Sequence, residues 1–182
     1  MRVGVLALQG GFAAHAHALG ELGHEVVEVR AAADLAGLEG LVLPGGESTT
    51  MLRLLDRHAL AEAIDAFVRS GRPILATCAG LILAAREVRS PPQRSFAWLD
   101  VTVARNAWGR QLESFEARSD SGALPLVFIR APRIVACGDG VEVVATLRGE
   151  PVLVRQGARW GATFHPELTA DRRVHATIFG GM

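Results

Sequence analysis

The chain has 182 residues, 49% of them hydrophobic and 21% charged, and its 19 basic and 19 acidic side chains give zero formal net charge. That length and composition fit one globular domain able to bury roughly 70% of the surface its unfolded chain exposes, and they exclude a disordered chain. The balanced charge and the lack of a basic run of about five residues argue against a nucleic-acid partner, and the lack of an apolar run of about 18 residues argues against membrane spanning.

The opening, Met1-Arg2-Val3-Gly4-Val5-Leu6-Ala7-Leu8, reads as a first strand and not as a cleaved leader, with Val3–Leu8 apolar and ending at Gln9-Gly10-Gly11. Phe12–Leu22 is helical in composition and Glu25–Val29 is the next strand. Gly40–Leu43 runs into Pro44-Gly45-Gly46-Glu47-Ser48, and Thr49–Asp56 and Leu60–Val68 follow as helices. Arg72–Thr77 is a fourth strand, interrupted at Cys78-Ala79-Gly80 before a helix expected over Leu81–Glu87. This alternation predicts a parallel sheet covered by helices on both faces.

Beyond Ser90-Pro91-Pro92-Gln93 the chain changes to short segments: Leu99–Ala104, Glu113–Ala117, Leu126–Arg130, Ile134–Ala136, Val141–Leu147, Val152–Arg155 and Arg159–Phe164. They predict an antiparallel or mixed extension of the same sheet within a single domain over residues 1–182, closed by a short helix over Arg172–Phe179.

Ligand sites in open parallel sheets lie beyond the carboxyl ends of the strands, where both Pro44–Ser48 and Thr77–Gly80 fall. Thr77-Cys78-Ala79-Gly80 sets a thiol at a strand-to-helix turn among small residues, a layout that projects a nucleophile and favours its thiolate. In Phe164-His165-Pro166-Glu167 the histidine is the candidate base, and the carboxylate two residues on is within reach of one ring nitrogen. The Ala79 amide and the amides of the glycine-rich loop are candidate donors to an oxyanion. Each piece has a plainer reading: a buried thiol in a tight turn, a His-Pro-Glu loop, or a turn in which Ser48 or Thr49 caps a helix. Their joint position at the sheet edge favours chemistry.

No metal-ligand spacing is present among the histidines and the two cysteines, Cys78 and Cys137, which are too few for a disulfide scaffold and suit a cytoplasmic protein. No P-loop or dinucleotide fingerprint is present either. His15, flanked by Ala14, Ala18 and Leu19, is as compatible with packing or capping as with an interaction.

These stretches closely resemble the glutaminase subunit of pyridoxal 5'-phosphate synthase, within the triad (class I) glutamine amidotransferases. The matching segments include Gly4–Gly10, Leu43–Met51, Thr77–Ala84, Arg105-Asn106-Ala107-Trp108-Gly109-Arg110-Gln111, Glu113–Glu116, Phe128–Pro132 and Phe164–Thr169. The resemblance implies a three-layer, flavodoxin-like α/β fold in which Cys78 is nucleophile, His165 base and then acid, and Glu167 its orienter. It implies oxyanion donors at Gly46 and Ala79, a glutamine site lined by Gly46, Glu47, Ser48, Arg105, Ile129 and Arg130, and a partner interface near Gln9 and Gly10. The implied partner is a (β/α)-barrel synthase that receives ammonia to make pyridoxal 5'-phosphate, which is a product and not a cofactor of this chain. Departures fall at Ala76, where many relatives carry glycine, at Trp108, where tyrosine or phenylalanine is usual, and at a short carboxyl end. Rival expectations are a glutaminase serving another biosynthetic partner, a non-catalytic regulatory subunit, and a cysteine peptidase.

Overall fold

The computed structural model describes residues 1–105 and 114–180. The first half runs β1 (Arg2–Leu6), α1 (Phe12–Glu21), β2 (Glu25–Val29), β3 (Gly40–Leu43), α2 (Ser48–Arg57), α3 (Leu60–Arg69), β4 (Ile74–Thr77), α4 (Ala79–Ala84) and β5 (Ala85–Arg89). The second runs β6 (Leu99–Ala104), β7 (Phe115–Arg118), β8 (Pro125–Phe128), β9 (Arg133–Cys137), β10 (Glu142–Leu147), β11 (Glu150–Gln156), β12 (Arg159–Ala162) and α5 (Arg173–Phe179).

The central sheet has seven strands in the order β10-β11-β12-β4-β3-β1-β2. β12, β4, β3, β1 and β2 are mutually parallel, and β11 and β10 continue the sheet antiparallel from β12. β3 and β4 are buried along their whole length, the pattern of strands covered on both faces. On one face α2 and α3 set Met51, Leu55, Leu60, Ile64 and Phe67 into a core shared with α4 and β6. On the other, Leu19 of α1 and Val174, Ile178 and Phe179 of α5 pack with Leu126 and Phe128 of β8 over Val3, Val5, Val42 and Leu75. The result is the expected three-layer α/β arrangement.

Two expectations need correction. The second half does not all extend the central sheet: β5, β6 and β9 form a separate three-stranded sheet, and β7 and β8 a separate hairpin. The helix expected over Leu81–Glu87 ends at Ala84, and Ala85–Arg89 is a strand pairing in parallel with β6. Arginine and glutamate at 86 and 87 favour helix locally, but pairing with β6 outweighs that weak preference.

Candidate active site

The register of two strands brings distant residues together. β12 lies parallel to β4 with Ala162 opposite Thr77, so the residues just past both carboxyl ends are neighbours. The Cys78 amide donates to the Ala162 carbonyl at 2.9 Å. Cys78 has φ 47° and ψ −104°, a conformation costly for a side-chain-bearing residue, and its thiol is 5% exposed. Close packing enforces the turn: the Gly80 amide donates to the Pro44 carbonyl at 3.2 Å, and a Cβ at Gly80 would lie 2.0 Å from the Leu43 carbonyl oxygen.

His165 follows β12, and its amide donates to the Val127 carbonyl of β8 at 2.8 Å. Its Nδ1 lies 2.7 Å from Glu167 Oε1, and both side chains are buried. A carboxylate partner on Nδ1 places the proton there, leaving Nε2 as the working nitrogen; Nε2 is buried with no hydrogen bond among the described residues. The thiol donates toward the Ile129 carbonyl at 3.8 Å, so the resting sulfur and imidazole are in electrostatic contact without an aligned hydrogen bond. Burial alone pushes the His165 pKa down, but the Cys78 sulfur and the Glu167 carboxylate outweigh it and raise it to about 10. Glu167 is opposed by burial and sustained by His15 and His165, which hold it below its ordinary value. The surroundings of His165 therefore favour its imidazolium form.

Cys78, His165 and Glu167 open onto a cleft of about 510 Å³ lined also by Gln9, Gly11, Gly45, Gly46, Glu47, Ser48, Ile82, Arg105, Ile129, Arg130 and Leu168. Gly45 is indispensable there, because a Cβ would sit 2.3 Å from His165 Cε1 and 3.2 Å from Cys78 Cβ. The Gly46 and Ala79 amides have no acceptor among the described residues. Glu47, not Ser48 or Thr49, is the N-cap of α2: its carboxylate accepts from the Thr49 amide at 3.1 Å and the Thr50 amide at 2.7 Å. Those bonds, led by the one from the Thr50 hydroxyl, lower its pKa to about 2. Its own amide donates to Gln9 Oε1 at 2.9 Å, so Gln9 braces the loop while Gly10 is exposed beside it. Arg105 and Arg130 reach the cleft without an ion-pair partner among the described residues. The rest of the Arg105–Gln111 motif, Trp108 included, and Glu113 lie outside the described residues.

Of the expected site residues, Gln9, Gly46, Glu47, Ser48, Cys78, Arg105, Ile129, Arg130, His165 and Glu167 line this one cleft, whereas Gly10 and Ala79 are not among its lining. Sequence reasoning did not single out Ile82, Leu168 or Gly11 in the lining, nor the role of His15, whose Nε2 lies 3.2 Å from Glu167 Oε2. Leu168 was signalled only by its place directly after His-Pro-Glu. Among the described residues no acid, histidine or cysteine cluster suits a metal ion, and no helix is long and apolar enough to cross a membrane.

A buried imidazole–carboxylate pair facing an elbow thiol, with unspent amides beside it, defines a site for thiol-mediated attack on a carbonyl or amide carbon. The chain belongs to the SNO glutamine amidotransferase family, whose sequence profile matches residues 5–179. It is 50% identical to the pyridoxal 5'-phosphate synthase subunit PdxT of Solibacter usitatus, covering 96% of each chain. It is 49% identical to the subunit of the same name from Deinococcus radiodurans, covering 99% of this chain and 96% of that one. A crystal structure of a glutamine amidotransferase superposes with a TM-score of 0.91 at 45% identity, covering 97% of this chain and 96% of the other. A putative GMP synthase subunit from Thermoplasma acidophilum, 20% identical with a TM-score of 0.70 over 99% of this chain and 92% of that one, shares the fold.

Proposed function

We propose that this chain is the glutaminase subunit of a pyridoxal 5'-phosphate synthase, hydrolysing the side-chain amide of L-glutamine and passing ammonia to a separate synthase subunit. The observation that carries the reading is the Cys78 thiol, held at a positive-φ elbow, facing a buried His165 whose Nδ1 is 2.7 Å from Glu167. The names of the relatives support the assembly, and the family supports the chemistry.

In this reading the Cys78 thiolate attacks the amide carbon, a C–S bond forms, and the carbonyl π electrons move onto oxygen, which the Gly46 and Ala79 amides receive. Loss of one such donor typically costs ~3 kcal/mol. The C–N bond then breaks as nitrogen takes the His165 proton and leaves as ammonia. Water gives a proton to His165 Nε2 and attacks the thioester, and C–S cleavage releases glutamate and restores the thiolate. Arg105 and Arg130 pair with the substrate's α-carboxylate, and Gly46, Glu47, Ser48 and Ile129 shape its seat. Glu47 contributes there through its backbone, since its carboxylate is spent on the helix cap.

The partner is a (β/α)-barrel synthase docking on the Gln9 and Gly10 side, where ammonia leaves without passing through bulk water. The chain acts as one glutaminase domain in the cytoplasm, where Cys78 and Cys137 stay reduced. Ammonia release from glutamine, with and without the synthase, tests this: Cys78→Ala abolishes partner-stimulated release, and equal release by both proteins overturns the assignment of the nucleophile.

A further inference from the structure

A buried histidine pair stands behind the reactive residues. His15 lies on the face of α1 that also buries Ala18 and Leu19, is fully inaccessible, and does not line the cleft. Its Nε2 is 3.2 Å from Thr77 Oγ1, in the residue before the nucleophile, and 3.2 Å from Glu167 Oε2, off the line of an aligned hydrogen bond. Its Nδ1 is 2.9 Å from His175 Nε2 of α5. One ring therefore touches both the strand end that carries Cys78 and the carboxylate that orients His165.

The protons in this cluster can be assigned. A lone pair on His15 Nε2 facing a carboxylate oxygen at 3.2 Å would be repulsive, so Nε2 carries the hydrogen. Nδ1 is then an acceptor and His175 Nε2 its donor, which leaves His175 Nδ1 as a bare lone pair; that atom is buried with no partner among the described residues. The groups facing His15 are Glu167 and His165 from the segment after β12 and His175 from α5, with Arg172 and His24 acting on His175 from its far side. Burial is the main force lowering His15 to about 4 and His175 to about 3, so both rings are neutral near pH 7. His175 thus donates to His15, His15 Nε2–H donates to Thr77 Oγ1 with Glu167 Oε2 facing it at 3.2 Å, and His165 Nδ1–H donates to the other carboxylate oxygen.

A leucine would fill this space without an unsatisfied nitrogen, so packing alone does not call for two imidazoles. We propose that His15 is a positioning residue: its Nε2–H, anchored on Thr77 Oγ1 beside the nucleophile, turns its positive end toward Glu167 Oε2 at 3.2 Å and so favours the ionised carboxylate in the place from which it orients His165, with His175 setting the tautomer of His15. The inference rests on the assignment of Cys78, His165 and Glu167 above.

The test uses the assembled synthase and compares His15→Leu, which removes the donor, with His15→Gln, whose amide N–H can replace it. Groups that orient a working side chain from behind, as the outer partners of metal-ligating histidines do, are typically worth ~10–100-fold. His15→Leu is therefore expected to lower kcat by about that factor with KM within about twofold, since His15 does not touch the cleft. Without the donor Glu167 protonates more easily, so the acid limb of the kcat profile moves up by about one pH unit. His15→Gln recovers most of both effects. An unchanged kcat and acid limb in His15→Leu, or a glutamine variant no better than leucine at equal thermal stability, overturns the proposal. Nitrogen-15 spectra of the unmutated chain read the tautomers directly, should either variant fail to fold: Nε2–H on both rings is expected, and Nδ1–H on His15 overturns it. Cys78→Ala is the control, because activity surviving there would refute the site assignment itself, whereas an inactive Cys78→Ala beside an unaffected His15→Leu refutes only the role of His15.

Discussion

Gly45→Ala perturbs the site through a single atom. The added Cβ would lie 2.3 Å from His165 Cε1, 3.0 Å from Nδ1 and 3.2 Å from Cys78 Cβ. Carbon atoms in contact rest ~3.5–4.0 Å apart, so the ring or the loop must yield by more than about 1 Å. The backbone at Gly45 is not in the left-handed region, and alanine there meets steric conflict alone. The ring is pinned by the 2.7 Å contact of Nδ1 with Glu167, so moving it both strains that bond and carries Nε2 away from the sulfur. A base must come within ~2.6–3.2 Å of the proton it moves, and a misplacement of ~1 Å can cost ~100-fold. Gly45→Ala is therefore expected to lower kcat for ammonia release by ~100-fold and to destabilise the fold by ~1–3 kcal/mol, the usual cost of overpacking. Gly20→Ala in α1 is the matched control: nothing lies within 4 Å of its Cβ, so activity stays and stability rises by ~0.5–1 kcal/mol. Wild-type turnover in Gly45→Ala, measured in the assembled synthase, would refute the claim that this loop sets the distance between imidazole and thiol.

The His165 ring is expected to titrate near 10 by NMR and to fall markedly in Cys78→Ala, because the sulfur is its strongest favourable partner against burial. The sign follows from a folded value raised above 6.5: stability from the protonated ring is complete below pH 6.5 and lost as pH climbs through about 10, which urea melts at the two extremes would detect. Glu47→Ala removes the cap of α2 and should cost ~0.5–2 kcal/mol at neutral pH. Since the Glu47 pKa is depressed from 4.5 to about 2, the gap between wild type and variant should hold above pH 4.5 and close as pH falls through about 2. A gap independent of pH would mean that the carboxylate charge is not what caps the helix.

The parallel half of the fold was legible because β1, β3 and β4 are apolar runs bounded by glycine and proline, and such strands need covering on both faces. The reactive side chains were legible because each follows a strand whose end can be read. What escaped depends on contacts across the chain. Ala85-Arg86-Glu87 has helical composition but is held extended by Leu99 and Thr102 of β6. Glu47 caps α2 although Ser48 and Thr49 are the usual residue types, since its longer carboxylate reaches both amides. The choice for His15 between packing or capping and an interaction stayed open in the sequence because its partners Thr77 and His175 stand 62 and 160 positions away.

The elbow itself stores a cost that substitution can reveal. At φ 47° and ψ −104° Cys78 occupies a region that glycine enters freely and side-chain-bearing residues avoid, at a cost of about 1–3 kcal/mol. The bonds around it enforce that shape: its amide is tied to Ala162, the Gly80 amide to Pro44, and Gly80 packs directly on Leu43. Cys78→Ala keeps the Cβ and hence the strain, whereas Cys78→Gly removes both, so the two inactive variants should differ in stability. Glycine gives back part of the gain by loosening the unfolded chain, by about 0.4–1 kcal/mol, so the net advantage over alanine is about 1 kcal/mol. Paired denaturant melts with equal slopes measure that difference. A glycine variant no more stable than the alanine one would mean that the turn is relaxed, and that the nucleophile is presented by packing alone and not at the expense of backbone strain.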